Sequence, residues 1–273
     1  MRQIGVGRTA DIYQYGADRA LKLFRPEISE RAVEEELRRA EIVFASGVPS
    51  PRPFGTVDVD GRIGIVYERA NGPTLLARMI AEPGRLQEYA RRLADIHADI
   101  HARSVDGIAN PMKGALKRGI GAGIGLDGTE CAAVLAMLER LPDGRALCHG
   151  DFHPDNVVLD EERIWILDWM TCASGDPAAD AARTIVLLRF GSVPVGASAA
   201  DANRLDGARA TLVEQYMAHY AALTGTDAER IRAWLAPVAA ARLSEGVPDD
   251  ERRRLIEFVR SRLAPETAEG ESI

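Results

Sequence analysis

His149-Gly150-Asp151-Phe152-His153-Pro154-Asp155-Asn156 puts five polar or charged side chains into eight residues. A buried strand does not carry that density without a functional reason, because each unpaired polar group costs desolvation energy. Pro154 ends any regular strand, so the segment reads as a loop. It feeds a hairpin, Val157-Val158-Leu159 and Ile164-Trp165-Ile166-Leu167 joined by the charged turn Asp160-Glu161-Glu162-Arg163. In an antiparallel pair that turns there, Leu159 faces Ile164 and Asn156 faces Leu167. Asn156 and Asp168 then stand side by side at the open end, and such oxygens suit a hard cation such as Mg²⁺.

Upstream, the first seventy residues read as strands around one helix. Ile12–Tyr15 and Ala20–Phe24 are short β-prone runs separated by Gly16-Ala17-Asp18. Ser29 can cap a helix that ends at Gly47, with Val33, Leu37, Ala40 and Phe44 as its apolar stripe. Pro49, Pro51 and Pro53 exclude further helix. Thr56–Val59 and Arg62–Tyr67 flank Asp60-Gly61, a strong hairpin signal. After Asn71-Gly72-Pro73 the pattern becomes helical: Leu86, Tyr89, Leu93, Ile96 and Ile100 mark one amphipathic helix. Thr129–Leu141, Ala178–Phe190, Arg204–Leu223, Ala228–Ala241 and Asp250–Leu263 read as further helices, and a frayed tail is expected after Pro265.

Length and composition narrow the function classes. A chain of 273 residues suggests about two compact units. A net charge of −7 argues against a nucleic-acid partner bound through a basic face. The longest apolar run, Ala233 to Ala241, contains Pro237 and is far short of the roughly 20 residues a bilayer requires, so no membrane partner is expected. Met1-Arg2-Gln3-Ile4-Gly5 shows no export signal, and Cys131, Cys148 and Cys172 lack metal-ligand spacing, so a cytoplasmic location is expected. Only three of the 34 basic residues are lysines (Lys22, Lys113 and Lys117). Residues 1–72 are charge-balanced, so the whole excess of acid lies in residues 73–273.

His-x-Asp-x-x-x-x-Asn followed by Ile-Leu-Asp-Trp resembles the catalytic loop and metal-binding Asp of the aminoglycoside phosphotransferase family, small-molecule relatives of protein kinases. The likeness spans most of the chain. Gly5-Val6-Gly7-Arg8-Thr9-Ala10 is similar to the family's phosphate loop, Ala20-Leu21-Lys22 to its strand lysine, and Glu36 to that lysine's helix partner. Glu68 to Ala70 is similar to the hinge, and Asp176-Pro177 with Asp180 to the segment after the metal site. The resemblance implies an α+β, two-lobed protein-kinase-like fold. Residues 1–69 would form a nucleotide-binding lobe of antiparallel sheet plus one helix, and residues 70–273 a mostly helical lobe with the catalytic loop and substrate site. It implies transfer of the ATP γ-phosphoryl group (GTP being the alternative) to a hydroxyl of a small-molecule acceptor. Asp151 would be the catalytic base, and Asn156 and Asp168 the Mg²⁺ ligands. Gly5, Gly7, Thr9, Lys22, Glu36, Glu68 and Ala70 would bind nucleotide. The acidic C-terminal part is compatible with a cationic acceptor such as an aminoglycoside or amino alcohol.

Other readings of the same residues stay open at this stage. Gly5 and Gly7 would also suit a tight turn, and Lys22 a solvated strand. Helical geometry puts Glu36 at the edge of the apolar stripe, whereas Glu35 neighbours Arg31 and Arg39, so Glu36 is the better partner for Lys22 and Glu34 the second. His149 reads as a loop prop, His153 as a prop or a substrate contact, and His97 as structural. A metal-dependent hydrolase would need His149, Asp151 and His153 on one strand face. A nucleotide-binding regulator without turnover is the third reading. Gly150 stands where protein kinases have the Arg that joins this loop to a phosphorylated segment, so that control is not expected. Gly123-Ile124-Gly125-Leu126-Asp127-Gly128 matches a dinucleotide fingerprint but has no strand before it, and Gly119–Gly128 reads as a mobile loop.

Overall fold

Alternating side chains build the N-terminal sheet. The computed structural model describes residues 1–273 except 8, 104, 106, 109, 161, 162, 193–198 and 265–273. Arg8, Glu161, Glu162 and the tail from Pro265 therefore lie outside the described residues. Strands β1 (Gln3–Val6), β2 (Ala10–Gln14), β3 (Arg19–Phe24), β4 (Pro53–Val59) and β5 (Arg62–Glu68) form an antiparallel sheet in the order β1-β2-β3-β5-β4. Leu21 and Leu23 of β3 pack with Val66 on one face. Phe24 joins Ala10, Ile65 and Val33 on the other, beneath α1 (Glu30–Ala45), and the period of two puts Lys22 on that same face. Asp60 and Gly61 both adopt positive φ, the two left-handed residues that a tight hairpin turn requires.

Ser29 Oγ accepts the Ala32 N–H at the start of α1, and Gly47 at φ +77° ends it. The buried stripe is Val33, Glu36, Ala40 and Val43. Phe44, expected inside, is 39% exposed near the Arg52 guanidinium. At 100° per residue Val43 continues the line from Ala40, and Phe44 turns out to the flank.

The rest of the described chain is mostly helical: α2 (Leu75–Ala81), α3 (Leu86–His101), α4 (Met112–Gly121), α5 (Gly128–Arg140), α6 (Pro177–Phe190), α7 (Ala199–Thr224), α8 (Ala228–Arg242) and α9 (Asp249–Leu263). Two small two-stranded sheets interrupt it, β6 (Ala146–Cys148) with β9 (Ala173–Gly175), and β7 (Val157–Leu159) with β8 (Ile164–Ile166). Leu159 pairs with Ile164, and Leu167 N donates to Asn156 O at 2.8 Å, the register expected for this hairpin. Sequence reasoning missed α2 and α4. Thr74 caps α2, which has only seven residues, and α4 contains Gly114, Gly119 and Gly121, which blur its period. Gly119, read as loop, lies inside α4, and α4 rather than a strand precedes the dinucleotide-like glycines. Helix α6 is buried on nearly every side and runs through the core of this part. No helix among the described residues is long and apolar enough to cross a membrane.

Candidate active site

One face of α6 holds the His149–Asn156 loop in place. Asp180, Arg183 and Thr184 lie at i, i+3 and i+4 and so point the same way. Asp180 Oδ2 accepts from His149 N at 2.5 Å and Oδ1 from Gly150 N at 2.9 Å. Thr184 Oγ1 donates to Phe152 O at 2.8 Å, and Arg183 Nη2 donates to Asp151 Oδ1 at 3.0 Å. Asp180 also meets Nε2 of His97 and of His101, each at 3.1 Å, while the Tyr216 and Tyr220 hydroxyls lie 2.6 Å from the respective Nδ1 atoms. His97, His101 and Asp180 are spaced as metal ligands could be, but the carboxylate is filled by four N–H groups. Burial alone would raise the Asp180 pKa; the two imidazole hydrogen bonds outweigh it and keep the group well below the usual carboxylate range.

Gly150 has φ +79°, and a Cβ there would stand 2.4 Å from the Thr171 carbonyl oxygen. Glycine is therefore a steric requirement at the place where protein kinases have Arg. The same turn breaks the strand on which a His149/Asp151/His153 metal triad depends. β6 ends at Cys148, so the side chains do not alternate onto one face. His149 is buried instead, its Nε2 on Leu167 O at 2.9 Å and its Nδ1 accepting Asp151 N at 3.2 Å. Its role is to prop the loop. Burial tends to raise the Asp151 pKa, but His153 and the Arg183 charge outweigh it and hold the carboxyl far below its ordinary range.

The second half of the site joins the sheet to the hairpin. Asn156 Nδ2 donates to Asp151 O at 2.9 Å, which turns Oδ1 away from the loop as the atom able to bind a cation. Asp168 sits at φ +59°, directly after the hairpin. Its Oδ1 is 3.0 Å from Lys22 Nζ, and Lys22 Nζ is 2.7 Å from Glu36 Oε1. One ammonium thus bridges two carboxylates. Burial pushes the Glu36 pKa up despite Lys22; Asp168 is held down because the Lys22 charge outweighs its burial. For Lys22, burial is outweighed by the two carboxylates and the pKa rises. Among the three candidate glutamates it is Glu36 that reaches the lysine, while Glu35 pairs with Arg38 and Arg39. Arg39 Nη1 also donates to the Met170 carbonyl, which ties α1 to the chain just after Asp168. The oxygen-rich pair Asn156 and Asp168 fits Mg²⁺.

Gly5, Ile12 and Lys22 occupy one row across β1, β2 and β3, so strand register sets the glycine-rich loop two strands from the lysine on the same level of the sheet. Gly7 N donates to Ala10 O at 2.8 Å to close that loop, and Thr9 O accepts from Arg25 N at 2.9 Å. At the far end of the sheet, the Glu68 and Arg69 amides are committed to the carbonyls of Arg52 and Asp18. Among the described residues the Ala70 amide donates to no partner.

Residues 1–234 match the model of the phosphotransferase enzyme family. The chain belongs to that family. The phosphotransferase assignment carries its activity class, transfer of a phosphoryl group to a hydroxyl of a small molecule. Its fold is shared with solved structures of low sequence identity. One is a thermostable mutant of aminoglycoside phosphotransferase APH(4)-Ia with ADP and hygromycin B: 16% identity, 95% of this chain and 91% of that one, TM-score 0.66. Aminoglycoside phosphotransferase APH(3'')-Id from Streptomyces rimosus, with ADP and streptomycin, gives 17%, 85%, 90% and 0.55. A choline/ethanolamine kinase family protein from Mesorhizobium loti gives 20%, 96%, 85% and 0.56. No curated protein matches the chain significantly. The protein-kinase-like fold, with its antiparallel N-terminal sheet and helical remainder, agrees with the expectation from sequence.

Sequence reasoning missed Arg183, Thr184 and His101. Apart from the charged Arg189 in the last turn, Asp180, Arg183 and Thr184 are the polar residues of α6 and share one face, but that spacing gains meaning only once the helix is known to be buried.

Proposed function

We propose that this phosphotransferase moves the γ-phosphoryl group of ATP to a hydroxyl of a small cationic acceptor. The observation that carries the reading is the Glu36–Lys22–Asp168 bridge together with a half-buried Asp151 flanked by Arg183 and His153. Phosphoryl transfer needs positioning and charge neutralisation more than covalent help. Asp151 orients the acceptor hydroxyl and takes its proton late. Lys22, held by Glu36, grips the α/β-phosphates, and the glycine-rich turn of Gly5, Gly7 and Thr9 covers them. The hinge from Glu68 to Ala70 reads adenine, with the unpaired Ala70 amide as the donor that supports this. Asn156 and Asp168 would hold Mg²⁺, which when bound neutralises phosphate charge. Residues 1–69 thus carry the nucleotide, and residues 70–273 carry the loop and the acceptor. GTP is the competing donor, and nothing in the hinge discriminates against it.

The acid excess of residues 73–273 favours a cation as acceptor. Structures of similar fold hold hygromycin B or streptomycin, and another belongs to a choline/ethanolamine kinase family protein. The test is acceptor-dependent ADP release across aminoglycosides, choline, ethanolamine, amino sugars and nucleosides. Asp151→Asn should keep Mg·ATP binding and lose about 10²-fold or more in kcat. Turnover near wild type in Asp151→Asn would remove the base assignment; nucleotide binding without turnover on any acceptor would favour a regulator.

A further inference from the structure

His153 of the loop is left unused by the mechanism above. It is 28% exposed and stands beside Asp151, with Nε2 3.6 Å from Asp151 Oδ2. That distance is a little beyond a direct hydrogen bond, and contacts of this kind tighten to bonding distance when the substrate complex forms. The other ring nitrogen is committed. Nδ1 accepts the Asp155 N–H at 3.3 Å, at the start of the single 3-10 turn Pro154–Asn156. A ring nitrogen that accepts carries no proton, so in the neutral ring the proton sits on Nε2. The backbone therefore selects the tautomer. Asp155 is itself anchored, since its Oδ1 accepts from Thr74 Oγ1 at 2.9 Å, and Thr74 also caps α2. On the other side of the carboxylate, Oδ1 is taken by Arg183.

We infer that His153 is a positioning residue: its Nε2–H turns Asp151 Oδ2 toward the acceptor hydroxyl. The inference rests on the phosphotransfer reading. A carboxylate held at one oxygen can still swing about that contact, and a second donor fixes its plane. Oδ2 is then the oxygen that receives the proton. The acceptor oxygen forms a bond to the γ-phosphorus, the bond from that phosphorus to the bridging oxygen breaks, and ADP leaves with the electron pair. The acceptor's proton passes to Asp151 Oδ2. His153 donates its hydrogen bond throughout and is not the group that receives the acceptor's proton.

Three substitutions separate this role from a structural one. The glutamine amide nitrogen reproduces the position of Nε2, and the asparagine amide that of Nδ1. With the acceptor found by the screen, or with water as acceptor, His153→Ala should lower kcat about 10-fold. His153→Gln should recover most of that loss and His153→Asn little, while Mg·ATP affinity and Tm stay at wild-type values in all three. An unchanged kcat in His153→Ala overturns the inference. So does rescue by Asn but not Gln, which would make the Asp155 contact the important one, or a loss of nucleotide affinity that parallels kcat, which would make His153 a phosphate ligand. A wild-type protein that releases no ADP with any acceptor or with water ends the phosphotransfer reading itself, and this role with it, before any variant is compared.

Discussion

Asp151 lies between a guanidinium and an imidazole, and their combined field decides how it can act. Held so far below the ordinary carboxylate range, it is a weak base. In the role proposed for it, Asp151 would orient a hydroxyl early and accept the proton only when the bond to phosphorus is well advanced. Arg183→Met keeps the length of the side chain and removes the charge. The Asp151 pKa should then rise, because an opposite charge that favoured the ionised form is gone. Activity should fail at a higher pH on the acid side than in wild type, and kcat at neutral pH should drop about 10-fold from misplacement of the carboxylate. A pH–kcat profile checks both, and an acid limb that stays put would show Arg183 to be a packing residue only. The pairing of Lys22 with Glu36 was legible in the sequence because helix geometry sorts three adjacent glutamates by their distance from an apolar stripe. Arg183 was not. In a chain with ten times as many arginines as lysines, one more arginine carries no signal until α6 is known to be buried.

At the level of elements, legibility followed periodicity. Helices α1 and α3 have one apolar face against solvent, and their spans were readable almost to the residue. Helix α4 hid behind its glycines. Gly119 is there for contact: a Cβ would lie 2.9 Å from the Ala241 carbonyl oxygen and 3.0 Å from its Cβ, where α4 crosses α8. Gly119→Ala therefore sets two effects against each other. Alanine gains about 1 kcal/mol in helix propensity. Forcing α4 off α8 costs about 1–3 kcal/mol, because the obstacle is backbone and cannot rotate away. The clash should win, and calorimetry should record a Tm lower by a few degrees. A higher Tm would mean that α4 slides over α8 freely.

Across the whole molecule, the change from strand to helix texture near residue 70 matches the end of the N-terminal sheet at Glu68, but does not say which distant residues meet. The bridge from Lys22 to Asp168 and the bond from Arg39 to Met170 span 146 and 131 residues, beyond the reach of any local pattern. Acid sensitivity is a property of this same scale. Burial drives the His97 pKa down to about 3 from 6.5, and His149 is lowered for the same reason. The unfolded chain binds these protons first, so the stability they contribute is complete above pH 6.5 and is lost as pH falls toward 3. Asp180, with its pKa depressed, adds a further loss below about pH 4. His97 should remove up to about 1.4 kcal/mol per pH unit in that window, and His149 acts in the same direction. Urea midpoints measured at pH 7, 6, 5 and 4 should therefore fall steadily, and a flat series from 7 to 5 would contradict the buried, neutral histidines.

On the proposed phosphotransfer reading, the lysine shared by two carboxylates would also make metal and nucleotide thermodynamically coupled ligands. Phosphates arriving alone meet the negative charge of Asp168, and a cation arriving alone meets the ammonium that already occupies one of its oxygens. Each ligand removes the obstacle to the other, which is positive heterotropic cooperativity. Linkage makes it reciprocal: whatever factor Mg²⁺ adds to ADP affinity, ADP adds to Mg²⁺ affinity, and about 5- to 150-fold is the usual range. Calorimetric titrations of each ligand in the presence and absence of the other should give the same factor. In Asp168→Ala the factor should fall sharply and ADP should lose much less affinity in EDTA than in wild type, since only Asn156 is left to hold the cation and the carboxylate charge is gone.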